Sequence, residues 1–213
     1  MKRCLLSGFC ACLLALDAGA TVYTLAPNPS NLNNLDHNLF YTWGLNWTVP
    51  AGETITGATL TFSQIWDWQV ETDTLFLHLL DTAPLGVSSW TDNQGGGDFF
   101  TSTYFNSLGI KQTKIGQWSD PNGGTAAKAQ NVSFVFDAAQ LVALQGYINS
   151  AGVNGWANFA IGLDPDCHYY NSGVSFIMNT NRQPTAVPEG GSALILLAIG
   201  FVGVIAFRRR LVA

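Results

Sequence analysis

Leu39-Phe40-Tyr41-Thr42-Trp43-Gly44-Leu45-Asn46-Trp47-Thr48-Val49 repeats with a period of two. Leu39, Tyr41, Trp43, Leu45, Trp47 and Val49 take the odd positions, and Thr42, Gly44, Asn46 and Thr48 take the even ones after Phe40. Side chains on a strand point to opposite faces in turn, so the pattern predicts a strand with one buried and one wet face. Pro50-Ala51-Gly52-Glu53 predicts a turn. Alternation returns over 58–70, where Ala58, Leu60, Phe62, Trp66, Trp68 and Val70 share a face that Gln64 interrupts. Residues 75–80 are apolar on both faces, as a central strand requires. Further strands are expected at 99–105, 132–136, 156–163 and 174–178. One helix is expected over 138–149, capped by Asp137 and ended by Ser150-Ala151-Gly152. About eight strands and one short helix predict an all-β domain over 21–178, a jelly-roll-like β-sandwich, with a short linker at 179–186.

The two ends of the chain read differently. Lys2 and Arg3 precede a greasy run over 4–16, and Ala18-Gly19-Ala20 offers a small-x-small cleavage site before Thr21. Residues 1–20 therefore read as a secretory signal peptide. At the other end, Val187-Pro188-Glu189-Gly190-Gly191 is followed by an apolar run over 193–207 and then by Arg208, Arg209 and Arg210. As a helix that run spans roughly 22 Å, and counting back to Gly190 gives roughly 27 Å, enough for a thin bilayer. A transmembrane helix over 193–207 is expected, with its arginines on the cytoplasmic side and the body of the protein outside the cytoplasm.

The order of motif, short helix and arginine cluster resembles the PEP-CTERM sorting signal of Gram-negative bacteria, in its VPDSG-like variant. Gly190 stands where the commonest form of the signal has a second proline. The resemblance implies that exosortase, a membrane protease-transpeptidase, reads and cleaves the tail. It also implies delivery from an inner-membrane-anchored precursor to the cell surface or an exopolysaccharide matrix, after signal peptidase has removed the leader. The simpler alternative is an unprocessed membrane anchor. Residues 134–178, with the loop Gly162-Leu163-Asp164-Pro165-Asp166-Cys167-His168-Tyr169-Tyr170-Asn171, resemble more loosely the C-terminal half of many exported PEP-CTERM proteins, and that resemblance implies no activity.

Without its ends the chain changes character. Cys4, Cys10 and Cys12 leave with the signal peptide, so Cys167 has no intramolecular disulfide partner. Residues 21–187 hold four basic and twelve acidic side chains, a net charge of minus eight. Nucleic acid and anionic lipid are poor partners for such a body, while cations and neutral polysaccharide suit it.

Catalytic signals are thin. The chain has no G-x-S-x-G elbow, no H-E-x-x-H, no P-loop and no G-x-G-x-x-G. His78 reads as a packed strand residue and His37 as solvated. Asp67, Glu71, Asp73 and Asp81 are the candidates for a glycosidase pair, and they read more simply as solvated acids at strand ends. Asp164, Asp166 and Asn171 offer hard oxygen ligands on one tight loop, which makes calcium the candidate cofactor there. The alternative is an Asp-Pro turn whose side chains cap backbone amides. Cys167-His168 makes half a site for a softer metal, and the thiol reads as buried and inert. Trp43, Trp47, Trp66 and Trp68 coincide with apolar faces and read as core. Trp90 and Trp118, next to Gly- and Asp-rich loops, are the candidate sugar platform. The expected protein is an exported, surface-directed, non-catalytic β-sandwich. The alternatives are a polysaccharide hydrolase or lyase on the same scaffold and a purely structural matrix protein.

In a host with exosortase, mass spectrometry of the surface-extracted protein should find no peptide from Ala193 onward. An intact C-terminus on the mature protein would leave a plain anchor.

Overall fold

The computed structural model of the 213-residue chain describes residues 19–92, 96–150, 152 and 155–182. The expected sorting motif, the transmembrane helix and all but the last two residues of the signal peptide lie outside the described residues. Among the described residues, no helix is long and apolar enough to cross a membrane.

The described residues hold ten strands: β1 (Ala20–Leu25), β2 (Leu39–Leu45), β3 (Glu53–Asp67), β4 (Thr74–Leu80), β5 (Gly86–Thr91), β6 (Gln112–Ser119), β7 (Gln130–Val135), β8 (Phe159–Pro165), β9 (Tyr169–Tyr170) and β10 (Gly173–Arg182). Two helices join them, α1 (Thr103–Ser107) and α2 (Ala138–Ile148). The strands form two antiparallel sheets. One is ordered β1-β10-β3-β7, with β9 on the far end of β3, and the other is ordered β5-β2-β8-β4-β6. The main core draws on both sheets: Leu60, Phe62, Phe176 and Met178 come from the first, and Trp43, Leu77, Leu79, Ile161 and Leu163 from the second. Two sheets sharing one apolar interior is the arrangement of a β-sandwich.

Helix α2 closes the side of this core with Leu144 and Ile148. Its start is a capping box: Asp137 Oδ1 accepts from Gln140 N at 2.8 Å, and Gln140 Oε1 accepts from Asp137 N at 2.8 Å. The Gln140 amide also donates to the carbonyls of Lys114 and Ile115, which ties the helix to β6.

Strand β3 changes face halfway along. Gln64 adopts φ 48°, and its N–H donates to Asn131 Oδ1 at 2.9 Å. Pairing with β7 shifts between Phe62 and Ile65. A bulge adds one residue to one strand, so every later side chain swaps face. Ile65 and Asp67 are therefore fully buried, while Trp66 stacks on Tyr170 and Trp68 stands 49% exposed. This corrects the expectation that Trp66 and Trp68 share the face of Phe62.

Three further boundaries differ from the sequence reading. In β2, Phe40 and Thr42 are buried along with Tyr41 and Trp43, so neither face is wet. Residues 99–105 form no strand but a 3₁₀ turn (Phe99–Thr101) followed by α1, which Ser102 caps by accepting from Phe105 N. Strand β10 runs to Arg182, so residues 179–182 of the expected linker pair with β1 and β3.

The first two differences have one cause. The segment over 96–110 lies on the outer face of the second sheet, where Phe99, Phe100 and Phe105 bury a second cluster with Phe40, Leu80, Ala83 and Ala160. The Phe100 ring sits directly over Gly162 of β8. A Cβ at Gly162 would come within 2.6 Å of Phe100 Cζ. Gly162→Ala should therefore overpack this cluster and cost about 1–3 kcal/mol, read as a lower urea midpoint. Phe100→Leu in the same chain should recover part of that loss, because the two side chains occupy the same space.

Candidate functional site

A groove of about 550 Å³ opens on the outer face of the second sheet. Phe40 and Thr42 of β2 and Trp90 of β5 form its floor, and Thr82, Ala83 and Pro84 form one side. Tyr104 and Phe105 of α1, with Leu108 and Ile110 after it, make the opposite wall, and Trp156 closes one end. Three of its rings are exposed: Trp90 39%, Trp156 40% and Tyr104 61%. Trp90 is held from below. Its ring stacks on Phe40 at 5.3 Å, and Phe40 stacks on Phe99 at 4.2 Å, each pair 20° from parallel. No acid or histidine lines the groove among the described residues. Rigid aromatic faces with a few hydroxyls around them suit the apolar C–H face of a sugar ring.

Of the two tryptophans expected to form a platform, only Trp90 lines this groove. Trp118 lies on β6 and packs against Tyr169, 5.7 Å between ring centres, at the edge of the main core. Trp156 and Tyr104 take its place. Both were missed because 156–163 and 99–105 read as strands, and a strand reading hides the wall that α1 builds.

Among the described residues no hydrogen bond links Asp164, Asp166 and Asn171 to one another. Asp164 is fully buried in β8, where its Oδ2 accepts from Phe99 N at 2.7 Å. Asp166 Oδ1 accepts from Gly97 N at 2.9 Å. Both carboxylates thus hold the segment that carries Phe99 and Phe100. Burial, with Asp92, Asp166 and Asp98 nearby, pushes Asp164 up to about 7 against the opposing pull of the Phe99 amide. Asn171 is 8% exposed, and its amide has no hydrogen-bond partner.

A second acidic constellation sits where β3 and β6 end and β4 begins. Asp67 is fully buried, which corrects its reading as a solvated strand-end acid. Its Oδ1 accepts from Gln69 N at 3.1 Å, its backbone N–H donates to Asp120 Oδ2 at 3.4 Å, and its carbonyl accepts from Gly124 N. A Cβ on Gly123 would collide with Asp67 Oδ1, so only glycine lets residues 120–124 close over it. Burial first, then the charges of Asp120 and Asp73, raise Asp67 to about 6. Asp67 Oδ2 and Asp73 Oδ2 are buried without hydrogen bonds, as are Asp98 Oδ1 and Asp164 Oδ1. None of Asp67, Glu71, Asp73 and Asp81 lines the groove. Cys167 is buried, and burial and Asp73 push its thiol up to about 12, which makes it a poor nucleophile.

A scan against protein-family models finds no match to this chain, and a search of curated proteins finds none either.

The two raised carboxyls make stability depend on pH with a definite sign. The folded state keeps protons on Asp164 and Asp67 that the unfolded chain releases near 3.8. That contribution is complete below about pH 4 and is lost as pH rises through 6 to 7. In chelator, the melting temperature should fall between pH 5 and pH 8. Asp164→Asn with Asp67→Asn should flatten that slope and raise the melting temperature at pH 8. An unchanged slope in the double variant would place its origin elsewhere.

Proposed function

We propose that this is an exported, surface-directed, non-catalytic β-sandwich of the jelly-roll type that binds neutral polysaccharide in its aromatic groove. The observation that carries the reading is the trio Trp90, Tyr104 and Trp156, exposed around a stack that fixes Trp90. An exposed, oriented aromatic cluster at the surface of a monomeric domain marks a ligand site more often than a packing accident. The strand order supports the jelly-roll assignment. The chain passes from one sheet to the other at each step from β1 to β4 and again from β6 to β7, β8 and β10. This is the winding of two Greek keys, with β5 added at one edge.

Delivery follows from the tail. The motif Val187-Pro188-Glu189-Gly190-Gly191 and the arginines Arg208, Arg209 and Arg210 make exosortase the partner in export, and the product is surface or matrix protein. A body with net charge minus eight on 21–187 leaves neutral glycans as better ligands than acidic ones. The hydrolase or lyase reading needs an acid and a base across the bound sugar. The lining of the groove, all apolar, aromatic and threonine, favours binding over cleavage. The groove itself favours binding over a purely structural role.

Residues 19–182 form one compact unit that holds every strand pairing among the described residues and both apolar clusters, so the body can be tested alone. In affinity electrophoresis through neutral bacterial polysaccharides the body should be retarded. Trp90→Ala and Trp156→Ala should each weaken binding about two- to tenfold, the equivalent of about 0.5–1.5 kcal/mol for a lost stacking contact. Trp118→Phe should leave binding unchanged. The same incubations should release no reducing ends and no unsaturated sugars. Release would replace the binding reading with the enzymatic one, and free migration through every polysaccharide would remove both.

A further inference from the structure

Two loops far apart in sequence are fastened side by side next to Tyr169. Leu35 N donates to Tyr169 O at 2.9 Å, and Tyr169 N donates to Leu35 O at 3.0 Å. The residues next to this doubly bonded pair are Asp36, with His37 after it, and His168. The bridge therefore fixes the backbone next to all three side chains. Asp36 Oδ1 lies 3.7 Å from His37 Nδ1 and 3.8 Å from His168 Nε2. All three ligand atoms lie within 4.8 Å of one another. The imidazoles meet edge to face, 5.0 Å between ring centres.

We propose that Asp36, His37 and His168 form a surface site for a divalent transition-metal cation of the zinc class. A tetrahedral zinc ion with bonds of about 2.0–2.1 Å holds its ligand atoms about 3.3 Å apart. Both carboxylate-to-imidazole separations need to close by only about half an ångström, within reach of small side-chain rotations. Two imidazoles and one carboxylate suit zinc, copper, nickel or cobalt, whereas calcium and magnesium prefer all-oxygen sets. Cys167 contributes nothing, since its thiol is buried on the core side. The second half of the site that Cys167-His168 lacks in sequence is supplied by Asp36-His37.

The surroundings orient the ligands. Asp36 Oδ1 accepts from Asn38 N at 2.9 Å and from Asn38 Nδ2 at 3.1 Å, and Asp36 N donates to the Tyr41 hydroxyl at 2.8 Å. These contacts hold the Asp36 carboxylate in place, and a cation bound at Oδ1 displaces the Asn38 side-chain bond. The Trp68 ring stands edge to face with His168 at 5.5 Å and is exposed beside the site. Three protein ligands leave a fourth position open to water or to a ligand atom of another molecule.

The test uses the full chain in detergent, purified without a polyhistidine tag and stripped with chelator. Titration with cobalt(II) should produce visible ligand-field bands that saturate at one equivalent and vanish when zinc is added. Copper(II) should quench part of the tryptophan fluorescence, and Trp68→Phe should lose that part. His37→Ala and His168→Ala should each weaken cobalt binding at least about tenfold, with melting curves in chelator that match the parent chain. Both histidines are partly exposed, so the substitutions leave the core intact. No saturable cobalt spectrum, an unchanged spectrum in the double histidine variant, or displacement of cobalt by equimolar calcium would each overturn the proposal.

Discussion

The groove depends on two carboxylates that hold backbone amides. Asp164 and Asp166, at the end of β8, accept from Phe99 and Gly97 and fasten the segment over 96–99 to the sheet. A third fastening comes from His78, whose Nε2 lies 2.9 Å from the Asp98 carboxylate while Nδ1 faces Gln112 Oε1 at 2.7 Å. With these in place, Phe99 and Phe100 settle over β2 and β8, α1 stands up as a wall, and Trp90 gains the stack beneath it. A buried carboxylate is costly, and at Asp164 the cost is offset by the buried Phe99 amide, which would otherwise be unpaired under an apolar cluster. Two carboxyl groups at a strand end thus position an uncharged aromatic groove.

The β class was legible because period-two alternation is a direct image of the pleat, and residues 39–49 and 58–63 show it plainly. The helix at α2 was legible too, since Asp137 and Gln140 sit at capping-box spacing ahead of a helical run. What stayed hidden was non-local. Phe99 to Phe105 has the aromatic content of a strand, and only the amides claimed by Asp164 and Asp166, some sixty-five residues away, make it a turn and a helix. The wet face expected of β2 vanished for the same reason, because that segment covers it.

The acids were misread through a single residue. Gln64 breaks the alternation in the sequence, and that interruption was visible, but a break does not announce which way the chain will turn. Its positive φ and its bond to Asn131 insert an extra residue, which carries Asp67 inward and Trp68 outward. A one-residue slip converts a presumed surface carboxylate into a buried one and a presumed core tryptophan into an exposed one. The neighbourhood of Asp36, His37 and His168 was invisible for a different reason. Its two halves lie on separate loops, and only the bridge between Leu35 and Tyr169 brings them together.

Strand β10 lies between β1 and β3, paired to both. A pull on the chain beyond Arg182 therefore runs along a strand gripped on either side, and the ladder bonds are loaded together in shear rather than opened one by one as a zipper. The Trp90 groove belongs to the other sheet. Load entering at β10 reaches that sheet both through the shared apolar interior and along the chain itself, which crosses between the sheets at β2 to β3, β3 to β4, β6 to β7 and β7 to β8.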